Sequence, residues 1–154
     1  MLHRVITGLY LTAKDAPGLA DVYVTDGPVL GEVAKRDWLM IAHTDTEYEP
    51  GARITDVAGE TLPEFIVSDD IYISCTIQCS SGATTTDTIP NLRVRAVNIA
   101  NELRTLIAGE SPLGDPLLAW GRIAEYSYAV LQITEGVMVE IVATLVFRTR
   151  AQAI

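Results

Sequence analysis

The chain has 154 residues, a net charge of −9, 49% hydrophobic residues and a mean hydropathy of +0.25. A chain of this length folds as one domain spanning residues 1–154 and buries enough surface to need no disulfide or metal. No apolar run approaches the ~20 residues of a membrane helix, and the N-terminus shows neither an apolar signal core nor a small-residue cleavage site. The expected compartment is a cytosol, with no membrane partner.

The charge is unevenly placed. Residues 90–154 balance six acids (Glu102, Glu110, Asp115, Glu125, Glu135, Glu140) against six arginines (Arg93, Arg95, Arg104, Arg122, Arg148, Arg150). The deficit therefore lies wholly in residues 1–89, and mostly in 37–70, where nine acids meet only Arg53. Such a field repels phosphate, which argues against tight nucleic-acid binding but suits a surface along which DNA slides without sticking.

In chain order, Leu2, Val5, Ile6, Leu9 and Tyr10 have helical spacing, predicting an amphipathic helix over 2–13 that ends at the breaker Asp15-Ala16-Pro17-Gly18. Strands are expected at about 21–25 and 37–43, with Asp26-Gly27-Pro28 as the turn after the first. The acidic stretch 44–60, which carries Pro50-Gly51, reads as a loop or irregular hairpin, and 61–67 as a further strand. Residues 70–79 alternate cleanly: Ile71, Ile73, Cys75, Ile77 and Cys79 on one face, and Tyr72, Ser74, Thr76 and Gln78 on a half-exposed other face. Cys75 and Cys79 in such a strand lie about 13 Å apart, beyond the ~7 Å limit for a disulfide, and read as small buried hydrophobes.

A polar loop over 80–87 leads into a helix that Asp87 or Thr88 can cap, with Pro90 in its first turn. Its predicted buried stripe is Leu92, Ala96, Ile99, Ala100, Leu103, Leu106 and Ile107. Arg93, Arg95, Asn98, Asn101, Glu102 and Arg104 form its wet face, and Gly109 stops it. A connector over 111–116 precedes a hairpin with strands at about 120–133 and 137–149, turning through Thr134-Glu135-Gly136. The second strand would span roughly 43 Å, against ~17–20 Å for an ordinary strand. It must bend, bulge or project, and a projecting edge needs a partner. The predicted class is thus α+β: a mixed or antiparallel sheet, two helices packed on it and a long C-terminal β-hairpin.

Signatures of chemistry are sparse. His3 and His43 are the two histidines, and His43 closes an apolar strand facing acids. No metal motif, phosphate loop or nucleophile elbow occurs. Asp45, Glu47 and Glu49 alternate and would line one face of a strand, where they read as a solvated acidic face before a cation site. Tyr126, Tyr128 and Gln132 share a strand parity; they read as a half-buried sheet face and, if the sheet curves, could line a pocket. Trp38 and Trp120 read as core or interface aromatics. No catalytic, cofactor or metal residue is assigned, and the expectation is a non-enzyme.

The order of elements resembles the tail terminator proteins of long-tailed bacteriophages, those of actinobacteria in particular. It consists of an N-terminal helix, a strand ending in Asp26-Gly27-Pro28, the strand–loop–helix unit Tyr72–Ile107 containing Asn98-Ile99-Ala100-Asn101-Glu102-Leu103, and a C-terminal hairpin ending Val142-Ala143-Thr144-Leu145-Val146-Phe147-Arg148. The resemblance rests on length and element order over nearly the whole chain. It implies a homo-hexameric ring in the tail or neck of a virion, assembled in the host cytoplasm. Such a ring caps the tail tube protein, stops tube growth and offers a joint to a head–tail connector or stopper protein, with genomic DNA passing through its lumen.

Under that resemblance Asp45, Glu47, Glu49, Ser80, Ser81, Thr84, Thr85, Glu135 and Arg148 are candidate interface or lumen residues, and the acidic segment 37–70 would line or rim the DNA passage. The alternatives are another head–tail connector or tail tube protein, or, in a different class, a small-molecule binding domain or enzyme with a pocket on the curved sheet.

Overall fold

The computed structural model describes residues 1–31, 36–44, 50–56, 66–81, 88–133, 136–150 and 152–153. Helix α1 (Leu2–Asp15) is followed by a 3-10 turn (Pro17–Leu19) and strands β1 (Tyr23–Asp26), β2 (Asp37–Ile41), β3 (Ala52–Asp56), β4 (Ile66–Val67) and β5 (Asp69–Ser81). Helix α2 (Ile89–Ile107), a second 3-10 turn (Pro112–Gly114), the long strands β6 (Leu118–Ile133) and β7 (Gly136–Thr149), and the short β8 (Gln152–Ala153) complete the chain. The class is α+β, as the sequence predicts.

A six-stranded mixed sheet runs β1-β2-β5-β7-β6, with β3 also paired to β5. β1 lies parallel to β2, and all other pairs in this sheet are antiparallel. β7 covers β5 from Asp70 to Ser81 along one edge. On the other edge β2 and β3 lie end to end, β3 against residues 69–73 and β2 against 75–79. At the join, Ser74 N–H donates to Gly51 O (2.8 Å) and His43 N–H donates to Ser74 O (3.0 Å). Ala42 adopts φ +55 there, and a Cβ on Gly51 would lie 2.1 Å from the Ala42 carbonyl oxygen. Only glycine lets the two backbones approach so closely. A separate pair, β4 with β8, is antiparallel.

The core lies between the sheet and both helices. Ile71, Ile73, Cys75, Ile77 and Cys79 of β5 and Val139, Ile141, Ala143, Leu145 and Phe147 of β7 are all buried. They meet Leu92, Ala96, Ile99, Ala100, Leu103 and Ile107 of α2, while Val5, Leu9 and Ala13 of α1 join the same cluster. Each large side chain so buried contributes about 1.5–3 kcal/mol. The predicted stripe of α2 is thus realised, with Leu106 at its half-buried margin. Gly109 follows the helix with φ +103, and Thr88 stands at the N-cap without its hydroxyl capping.

Several expectations change. The stretch expected to be a loop or irregular hairpin contains β3, a strand held by its pairing with β5 and by the Arg53 guanidinium 4.0 Å over the Tyr72 ring. Of the strand expected at 61–67, β4 is described; 61–65 lie outside the described residues. Ser80 and Ser81, read as loop, end β5, because β7 extends far enough to pair with both. The second face of β5 is not uniformly wet: Thr76 is fully buried, its Oγ1 donating to His43 O (2.8 Å), and Gln78 Nε2 donates to Glu140 Oε2 (2.9 Å). Arg95, expected on the wet face of α2, is half-buried and paired with Asp37 of β2. The hairpin bulges, at Leu118/Trp120 and Ile123/Glu125. It does not project alone, because β5 backs β7 along nearly its whole length.

Candidate interaction surface

β7 is paired on both sides, whereas among the described residues β6 has one partner and ends the sheet. The consequence for its side chains is clear in the exposure pattern. β7 alternates between buried and half-buried residues, but from Arg122 to Gln132 β6 is exposed or half-buried on both faces. Among these residues are Tyr126, Tyr128, Val130 and Leu131, 38–48% exposed. Their register against Ala143, Ile141 and Val139 puts Tyr126, Tyr128 and Val130 on the helix side of the sheet.

There they face α2 across a groove of about 320 Å³, walled by Val97, Ala100 and Arg104 of the helix and by Tyr126 and Tyr128, with Ile141 of β7 also lining it. Two arginines of α2 reach across it. Arg93 Nε donates to Tyr128 Oη (3.0 Å) and Arg104 Nη2 to Tyr126 Oη (2.9 Å), each guanidinium 5.7 Å from its ring centroid. The groove is therefore apolar with a cationic rim. Tyr126 and Tyr128, which share a strand parity, both line this groove, whereas Gln132 is exposed farther along the strand. Val94 and Val97, both exposed, were the signal in the sequence for this second apolar face. They sit three apart on α2, outside the core stripe, and the 3.6-residue period assigns them to the wet side.

The opposite face of the sheet carries a cluster of arginines and aromatics. Arg148 of β7 forms a two-bonded pair with Asp70 of β5, at 2.8 and 2.9 Å. Its guanidinium also lies 4.9 Å from the Trp120 ring, with that of Arg122 at 5.5 Å. The Asp70 bonds hold the Arg148 charge in place, raising its pKa further. Arg148, a candidate interface or lumen residue, is thus engaged within its own subunit. No sequence pattern announced this, because Asp70 and Arg148 are brought together only by the β5–β7 register.

The other candidates divide. Ser80 and Ser81 stand half-buried at the end of β5, and Ser80 N–H donates to Arg36 O (3.1 Å). Asp45, Glu47, Glu49, Thr84, Thr85 and Glu135 lie outside the described residues. His43 is half-buried at the strand join. Among the described residues, no three His, Cys, Asp or Glu side chains gather as a metal group, and no helix is long and apolar enough to cross a membrane.

Both cysteines are free and buried. Burial pushes the Cys75 thiol up to about 12, against a lowering hydrogen bond with Ala42. Burial, reinforced by the Asp37 carboxylate, pushes Cys79 up to about 12 as well. Neither thiol is a nucleophile at neutral pH.

A second groove, of about 440 Å³, separates α1 from the Pro112–Gly114 turn. Arg4 and Asp115, paired at 2.6 and 3.0 Å, are among the residues that line it.

No protein-family model matches the sequence, and no curated protein matches it. The fold is similar to that of a chain in the virion of a native gene transfer agent particle, with a TM-score of 0.54 and 12% sequence identity, covering 94% of this chain and 93% of that one. At that identity the likeness is one of fold.

Proposed function

We propose that this chain is a structural component of a phage-like virion and, within that class, the tail terminator: a ring that caps the tail tube, ends its polymerisation and presents a joint to the head or its connector. The observation that carries the reading is the likeness of fold to a virion chain over nearly the full length of both. It is supported by the same element order that made the sequence resemble tail terminators. It is further supported by the long outer strand β6, which has no strand partner on its outer edge among the described residues. In this reading the work is done by interfaces, without catalysis or cofactor, and the acidic first half of the chain keeps DNA from adhering as it passes.

The test is the mass of the purified protein at two salt concentrations, alone and with its cognate tail tube, followed by electron microscopy of the tubes. A closed ring, free or formed on the tube end, with tube growth arrested, is the expected result. Open-ended stacking of this chain would make it a tube protein, because a head-to-tail contact that fails to close generates a filament. A protein that ignores the tube at every salt concentration would refute the terminator role.

A further inference from the structure

The two outer strands of the sheet are matched in height, in direction and in charge. Following the register across the sheet, Asp26 of β1 stands in one row with Ile41, Cys75, Ala143 and Tyr126, and Val24 in one row with Leu39, Ile77, Ile141 and Tyr128. The four strand spacings between β1 and β6 amount to about 19 Å, so one copy cannot bring these edges together. The pairings also make β1 and β6 antiparallel: β1 runs with β2, against β5, with β7 and against β6.

Chemistry complements this geometry. Asp26 is exposed at the end of β1, in the row of Tyr126, whose hydroxyl holds Arg104. Rows keep their face, so Asp26 and Arg104 are both on the helix side of the sheet, at opposite edges. The backbone holds the acidic edge in place, with Gly27 N–H donating to Ile41 O (2.8 Å) and Thr25 Oγ1 donating to Gly27 O (2.7 Å). Leu30, four residues after the acid, is 81% exposed, and Val97 and Arg104 line the same groove.

We propose that the β6 edge and the α2–β6 groove receive the β1 edge of a second copy of this chain, as an antiparallel continuation of the sheet in which Asp26 of one copy pairs with Arg104 of the next. The contact is head-to-tail, uses two different surfaces and leaves each copy with one of each free. It therefore propagates until rotation closes it into a ring. It deepens the ring reading, on which it rests for closure, but the pairwise contact needs no tail tube.

The experiment reads the association of the full-length chain by sedimentation in concentrated solution, comparing the native chain with Asp26→Arg, Arg104→Glu and the double variant. Both positions are exposed, and unchanged melting temperatures establish that the variants fold. The native chain is expected to associate, each single reversal to weaken association at least tenfold, and the double reversal to recover it. Four results would overturn the proposal. These are a native chain that stays monomeric; association indifferent to both reversals; loss with Arg104→Glu but not with Asp26→Arg, which would seat a different segment in the groove; and a monomer whose groove instead binds a small molecule or foreign protein. Tube capping separates the two readings. A chain that caps tubes through another contact refutes this interface and keeps the terminator. A chain that associates through this contact but ignores tubes keeps the interface and refutes the terminator.

Discussion

Arg148 and Asp70 face each other across neighbouring strands, 78 residues apart in sequence, joined by two hydrogen bonds of 2.8 and 2.9 Å. The Asp70 side chain is 14% exposed, so its carboxylate depends on this partner for much of its solvation. Arg148→Gln is expected to cost about 1–2 kcal/mol, the range for hydrogen bonds to a charged group discounted for a half-open site. Urea unfolding of Arg148→Gln, Asp70→Asn and the double variant gives the coupling directly. A coupling near zero would mean that Arg148 is retained for its stacking on Trp120.

The buried thiols predict an alkaline weakness. Unfolded cysteine loses its proton near 9.0, and the folded thiols near 12. Between those values the unfolded chain binds fewer protons than the folded one, so stability is full below about pH 9 and falls as pH rises through this window. The loss is on the order of 1 kcal/mol per thiol by pH 10. The melting temperature of Cys75→Ala/Cys79→Ala, although lower at pH 7, should decline less between pH 8 and 10.5 than that of the native chain. A thiol reagent at pH 8 should label neither cysteine until denaturant is added.

Gly51 should not tolerate a side chain. A Cβ there would meet the Ala42 carbonyl oxygen at 2.1 Å and its carbon at 2.6 Å. These are backbone atoms, fixed by the hydrogen bonds of His43 and Ser74, and cannot turn aside. Gly51→Ala is expected to destabilise by about 2 kcal/mol or more, by forcing β2 and β3 apart. A denaturation midpoint unchanged from the native chain would contradict that close approach.

The two apolar faces of α2 should behave differently. Leu103 is fully buried in the core, and Leu103→Ala should cost about 2–5 kcal/mol, the range for a leucine cavity. Val97 is 42% exposed, and Val97→Asp should leave the unfolding free energy within about 0.5 kcal/mol while reducing self-association. If Val97→Asp also melts the fold, the groove is part of the core and not a docking surface.

Elements whose pattern is local are legible along the chain. The 3.6-residue stripe of α2 and the two-residue alternation of β5 and β7 depend only on which side chains must leave water. Gly109 and Gly136 mark chain reversals that demand positive φ, and both adopt it. Length alone left bending, bulging and projection open for the hairpin, and the register shows bulges at Leu118/Trp120 and Ile123/Glu125 of β6. What lacks a local signature was decided by tertiary structure. β3 is a strand because β5 is long enough to hold a second partner beside β2. Thr76 is buried with its hydroxyl bonded to the His43 carbonyl, 33 residues away, and Arg95 leaves the wet face because Asp37 arrives from 58 residues away. The candidate surface has the same origin. Tyr126 and Tyr128 form a groove with α2 because β6 ends the sheet at the margin of the helix, and Asp26 shares a row with Tyr126 through three intervening strands. Register between distant strands sets these relationships, through hydrogen bonds that each cross-strand pair makes regardless of side chain, and so no residue along the chain records them.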